Sequence, residues 1–440
     1  VFEWVNDLLT SEDFMQDAVR LPIGPNGYIL FALILPFLPR LSVRPFLIAT
    51  SLLTMGIALG WTFALGIFAG VVGVWGLSEL LATVVLLSGH RRTCIAIGWL
   101  ILHAIFLPLC FVKLRGVAQM VPGDLTLFCG IGFMLLRSVH YLWDRCNDVL
   151  PRGKFDHVLL YMTFLPTFRM GPLDRFDTFN SEINDCQSRI SPKVFMLSVG
   201  RVALGTAKML VIGLVIDRFY LKPLYGESCP IGYPWLPFAP GVFEKYQEVS
   251  YGHLWLTTLC YWFRDLLFFM GYADVAIGTA RAMGIRVSEN FDYPLISKSV
   301  GEFWRRWHMS FGWWLRNYVY IPLGGNRRNV HLNTTVVFLY CGLWHFPFIG
   351  GVWFGLQVGA YMAIWRIWAA AKSKAFADQR GVLWRLKAAG LLETKWTGVI
   401  SIAFTQVALA LIVLPLFDRA NNSWEGLRML RALLLPFWPH

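Results

Sequence analysis

Charge is what this sequence has least of. Only 15% of its 440 residues are Asp, Glu, Lys or Arg, against roughly 25% in soluble domains. Hydrophobic residues make up 56%, and mean hydropathy is +0.53. From Phe46 to Ser88 the one ionisable side chain is Glu79. A spanning helix needs about 20 apolar residues, so this run predicts two consecutive spans. Gly56, Gly60, Gly66, Gly70 and Gly73 would let neighbouring helices approach closely. CxxC pairs and Cys/His metal spacings are also missing, which argues against a zinc module. We expect no metal and no tightly held cofactor. Internal repeats, low-complexity tracts and a separate soluble domain are absent as well.

Of the eight cysteines, Cys94, Cys110, Cys129, Cys260 and Cys341 lie in apolar segments and read as small hydrophobes. Cys186 and Cys229 fall in polar connections and would pair only in an oxidising compartment. The stretch VFEWVNDLLTSEDFMQDAVR is acidic and amphipathic, unlike a cleavable signal peptide.

The net charge of +12 does not need nucleic acid. Its Lys and Arg cluster in short connectors (90–92, 113–115, 327–328) and in a run at 366–387 whose one acid is Asp378. The bias of basic residues toward cytoplasmic loops accounts for this. The run is expected near anionic head groups or an acidic partner.

Hydropathy predicts an all-α polytopic membrane protein of about 11–12 helices. The candidate spans are 27–38, 46–66, 67–88, 94–112, 125–143, 156–171, 194–216, 253–284, 333–346, 352–370, 396–416 and 424–437. Several are too short to cross a bilayer of about 30 Å alone, and Pro166 and Pro172 interrupt another. Short or broken helices at membrane depth need protein or a water-filled cavity around them. Two connections, 173–193 and 222–250, are less oily.

Ionisable groups inside spans are costly and commonly functional. His103, alone in LILHAIFLP, fits a hydrogen-bonded core residue. Arg137 and His140 lie one turn apart, as a structural patch or a substrate-positioning pair. Arg264, Asp265 and Asp274 suggest an internal charge network, with catalytic acid–base work as the alternative. In NTTVVFLYCGLWHFPF, about eleven residues at 1.5 Å each carry His345 roughly 16 Å inward from Thr334. A desolvated imidazole there would serve as a general base, or be a satisfied core histidine.

The stretch EFWRRWHMSFGWWLRNYVYIPLGG (302–325) sets His308 among tryptophans and arginines. Read as one helix, it puts Trp304, His308, Phe311 and Leu315 on a single face. An interface belt explains its Trp and Arg and leaves the histidine unexplained.

Taken together, several motifs resemble the membrane-bound O-acyltransferase family. They are GYADVAIGTARAMGI (271–285), NFDYPLISKSVGEFWRRWHMSFGWWLRNYVYIPLGG (290–325) and GLWH (342–345). GIGFMLLRSVHYLWD, FLPTFRMGPLDRF and FDRANNSWEGLRMLRALL add support. The resemblance covers about 125–437; residues 1–124 carry helices without a motif, within a single helical membrane domain.

The resemblance implies short or re-entrant helices around a central tunnel in a bacterial cytoplasmic membrane. His345 and His308 would be catalytic. Arg305, Arg306 and Arg316, with Trp304, Trp307, Trp344, Asp274 and Asn290, would bind substrate; each arginine fits lipid head groups equally well. The donor would be an acyl-CoA or acyl-phosphopantetheine carrier thioester. The acceptor would be a hydroxyl of a polysaccharide or relay protein, with a second, external acyltransferase as a conceivable partner. PLGG resembles the acetylating members and PTFRMGPLDR the D-alanyl transfer members; we lean to acetyl. Phe346, where the bacterial branch usually has Gly, would narrow the tunnel. A transporter or channel, or an inactive scaffold, are the readings of other classes.

Overall fold

The computed structural model describes residues 29–117, 125–168, 170–212, 216, 251–345, 349–390 and 394–413. Among these every regular element is helical. The expected span 424–437, the connection 222–250, the first twenty residues, Cys229, Phe346 and Pro347 lie outside the described residues. The chain divides into two compact units.

The first unit contains α1 (Arg40–Leu59), α2 (Trp61–Ser88), α3 (Arg91–Val117), α4 (Leu125–Cys146), α5 (Phe155–Thr163), α6 (Phe176–Arg189) and α7 (Pro192–Thr206). The break in the long apolar run falls at Gly60 (φ 93°), not near residue 66. Residues 29–37 form 3-10 turns, so the short first span is not an α-helix. The polar connection 173–193 folds largely as α6.

Helix α2 buries Ala64, Ile67, Val71, Val74, Ser78, Leu81, Ala82 and Val85, a stripe at helical spacing. It is the one described helix long and apolar enough to cross a membrane by itself. Glu79 accepts from Arg145 Nε and Nη2 at 3.1–3.2 Å and from Tyr141 Oη at 2.9 Å. That pairing removes the cost of an isolated buried charge and ties α2 to α4.

Arg137 and His140 prove to be helix-end partners. Arg137, 2% exposed, donates to the Tyr161 carbonyl at 3.1 Å. It also donates to the Thr167 carbonyl and hydroxyl, both at 2.8 Å. His140 Nε2 accepts the Phe176 N–H at 3.0 Å. The Tyr161 carbonyl near the end of α5, the Thr167 carbonyl of the short helix Leu165–Phe168 and the amide opening α6 are groups that helices leave unsatisfied, which supports the structural alternative. His103 likewise bonds the Trp99 carbonyl at 2.7 Å.

The second unit contains residues 251–266 of α8 (Tyr251–Ala282), whose later residues belong to the first. It continues with α9 (Val300–Arg306), α10 (Met309–Leu315), α11 (Val330–His345), α12 (Ile349–Ala377), α13 (Gly381–Ala388) and α14 (Lys395–Val413). Helices α11 and α12 form its tightest pair. A Cβ on Gly355 would meet Leu339 Cα at 2.5 Å, and Cβ atoms on Gly342 and Gly359 would strike the Gly351 carbonyl and Thr335. Gly351, Gly355 and Gly359, spaced four apart, thus form the small-residue face on which α11 lies.

Candidate active site

The site grows from a break in the arginine- and tryptophan-rich stretch. Ser299 Oγ caps α9 by accepting the Glu302 N–H at 3.1 Å. Glu302 in turn accepts from Arg306 Nε at 3.1 Å, one turn on. The helix then stops after seven residues. Trp307 is extended (φ −102°, ψ 128°), and His308 is left-handed (φ 44°, ψ 53°) before α10 begins. The single-helix reading of this stretch is therefore corrected. A non-glycine residue in that region costs about 1–2 kcal/mol, so something must hold it.

The holder is the segment 290–292. Asp292 N–H donates to the Arg306 carbonyl at 3.0 Å, and Met309 N–H donates to the Asn290 carbonyl at 2.9 Å. The Asn290 Oδ1 accepts from Ser310 Oγ at 2.6 Å. These bonds clasp the chain on both sides of His308, which is 4% exposed.

Phe311, one turn into α10, carries the arrangement across to α11. Its ring lies 5.1 Å from the His308 ring, 4.9 Å from Trp344 and 6.1 Å edge-on from His345. Trp344 and His345 are themselves 4.6 Å apart, perpendicular. Two imidazoles separated in sequence by a turn and a helix thus border one aromatic ring. Trp304 lies 5.1 Å from Phe338 and 6.2 Å from Phe354, with its buried indole N–H lacking a partner among the described residues.

The other expected site residues stand in several settings. Trp307 stacks on Phe303 at 5.4 Å and neighbours Phe291 and Trp262, as core packing. Arg306 is committed to Glu302 and Asp292. Arg305 and Arg316 are exposed and form no ion pair among the described residues. Asp274 belongs to the first unit, between Arg201 at 3.0 Å and Lys208 at 2.6 Å. Arg264 and Asp265 pair at 3.8 Å in the second.

Sequence reasoning assigned Phe311 and Ser310 no role beyond a helical face, and missed Gly355 and Gly359 of α12 as a packing surface. The four-residue glycine spacing was the available signal. The clasp at 290–292 had none.

The arrangement defines a helical protein that brings two imidazoles, His308 buried and His345 half-buried, against one aromatic ring, each able to accept or donate a proton. Comparison with known proteins sharpens that class. Residues 152–363 match MBOAT, the membrane-bound O-acyltransferase family. A teichoic acid D-alanyltransferase of Streptococcus thermophilus is 30% identical over 340 residues, covering 73% of this chain and 75% of that protein. A probable alginate O-acetylase of Pseudomonas aeruginosa is 43% identical over 260 residues, covering 57% and 45%. A peptidoglycan O-acetyltransferase of Helicobacter pylori is 33% identical over 281 residues, covering 62% and 46%. The chain spans slightly under half the length of these last two relatives. It belongs to the membrane-bound O-acyltransferase family.

Proposed function

We propose that the protein moves a short acyl group from a thioester on the cytoplasmic side of a bacterial cell membrane to a hydroxyl of a cell-envelope polymer or a relay protein. The observation that carries this reading is the placement of His308 and His345 against the same Phe311 ring. An alcohol is a poor nucleophile until a base takes its proton during attack. In the proposed reaction His345 takes that proton as the hydroxyl oxygen bonds to the thioester carbonyl carbon. The tetrahedral intermediate collapses, the C–S bond breaks, and the proton passes to the departing thiolate. His308 supports the positioning of the donor or of the base. Aromatic walls that exclude water favour transfer over hydrolysis.

Helix α11 is about 24 Å long at 1.5 Å per residue, shorter than the roughly 30 Å hydrocarbon core. That length supports a multi-pass arrangement in which His345, at its last residue, lies within the bilayer and lines a tunnel. Exposed Arg305 and Arg316 are the arginines left to meet donor phosphates; Arg306 braces its own helix instead. Acetyl is the acyl group favoured by the 43% identity to the alginate relative. D-Alanyl is the second reading, favoured by the longer match to the teichoic acid enzyme. Mass spectrometry of envelope polymers from cells with and without the protein separates them: loss of acetyl esters supports the first, loss of D-alanyl esters the second. No lost ester sinks both.

A further inference from the structure

We propose that Asn290 is the positioning residue of His308, fixing the imidazole through Ser310 and the backbone clasp. The inference rests on the acyl-transfer reading for its meaning, and on geometry for its content. His308 holds a left-handed conformation that is uncommon outside glycine. Such a conformation persists where its surroundings over-determine it. Asn290 supplies that determination twice within three residues. Its carbonyl takes the Met309 N–H at 2.9 Å, immediately after His308, and its side-chain oxygen takes the Ser310 hydroxyl at 2.6 Å.

Asn290 is 0% exposed, and its Nδ2 has no acceptor among the described residues. The side chain therefore makes one directed bond, to Ser310. Loss of that bond takes this acceptor from the Ser310 hydroxyl and leaves the backbone bond at Met309 as what Asn290 still contributes to the first turn of α10. Because His308 is the residue before that turn, the imidazole moves with it. Asp292, which donates to the Arg306 carbonyl at 3.0 Å, fixes the far side of the break and makes the segment a clasp.

Two readouts test this on the full-length protein in proteoliposomes. The first is independent of activity: carbethoxylation of His308 by diethyl pyrocarbonate, read by peptide mass spectrometry, with exposed His331 as internal reference. Asn290→Ala and Ser310→Ala should each speed His308 modification severalfold while the His331 rate and the thermal midpoint hold. Unchanged His308 rates in both variants overturn the proposal, and Ser310→Ala alone decides if Asn290→Ala does not fold.

The second readout is thiol release from acetyl-CoA with alginate oligosaccharide as acceptor. Asn290→Ala should lower kcat by roughly tenfold or more, as small misplacements do, with KM for acetyl-CoA little changed. Added to His308→Ala it should cost nothing further, because both act through one imidazole. Additive losses overturn the proposal. If the wild-type protein releases no thiol, the acyl-transfer reading falls while the carbethoxylation rates still decide the positioning role.

Discussion

The Phe311 ring meets the His345 imidazole edge-on at 6.1 Å, and the same ring lies 5.1 Å from His308. One side chain thus spaces the two histidines and seals the ground beside both. Phe311 is 3% exposed. Truncating a buried phenylalanine costs about 3–5 kcal/mol and leaves a cavity. Phe311→Ala should therefore lower the thermal midpoint and cut acyl transfer at least tenfold, with Phe311→Leu, which keeps most of the volume, retaining far more of both. Equal activity in all three proteins would show that the ring does not organise the pair.

The position of His345 at the end of α11 depends on how closely α11 and α12 approach. At Gly355 an added Cβ would meet Leu339 Cα at 2.5 Å and its backbone nitrogen at 2.7 Å. Backbone atoms cannot rotate away, so the helices must separate. Gly355→Ala should lower the thermal midpoint in detergent and depress activity together. Gly66→Ala and Gly73→Ala, where nothing lies within 4 Å of the new methyl, should be neutral or stabilising by up to about 1 kcal/mol.

Glu79 and Arg145 form the first unit's clearest buried ion pair, with side chains 12% and 11% exposed. Breaking such a pair from one side strands a charge and costs about 3–5 kcal/mol. Glu79→Ala should destabilise strongly, and Glu79→Gln, which keeps an acceptor for Tyr141 and Arg145, clearly less. Thermal unfolding monitored by tryptophan fluorescence would read the difference. Identical midpoints would mean the pair carries no net stability.

Asp174 sets a pH dependence. Burial raises its carboxyl above the usual value, against the opposing N–H and hydroxyl of Ser288 at 2.7 and 2.6 Å. A raised folded-state value means the folded protein holds the proton more tightly than the unfolded chain. The stability this contributes is complete below the unfolded value near 3.9 and is lost as pH rises through the folded one. Asp174→Asn keeps the acceptor for Ser288 and should raise the midpoint at pH 7.5, with the advantage shrinking toward pH 4. Asp177 contributes the opposite slope: burial pushes its carboxyl up, but the Thr178 N–H and Arg175 outweigh it. Comparing the variant with wild type at each pH cancels that background. A variant less stable at neutral pH would contradict the assignment.

Legibility in the sequence followed the range of the interactions. The polar start at Asn333 and Thr334 followed by an apolar run placed His345 near the end of its helix, as found at Val330–His345. That signal is local. The kink at His308 is not, because Asn290 and Asp292 impose it from sixteen residues or more away, and no Gly or Pro marks the position. Arg137 and His140 stayed open between two roles for a similar reason. Their partners include backbone groups at 161, 167 and 176, which no residue type announces. The α12 glycines were in plain view at four-residue spacing, and only their partner helix was unknown.

In the proposed reaction His345 is the base for transfer of an acyl group from a thioester to a hydroxyl. Its most direct test is thiol release from acetyl-CoA, with alginate oligosaccharide as acceptor, by purified wild-type protein and His345→Ala in proteoliposomes. Acceptor-dependent release by wild type, reduced at least a hundredfold in a His345→Ala protein of unchanged thermal midpoint, is the predicted result. A folded His345→Ala protein that transfers at the wild-type rate would contradict it.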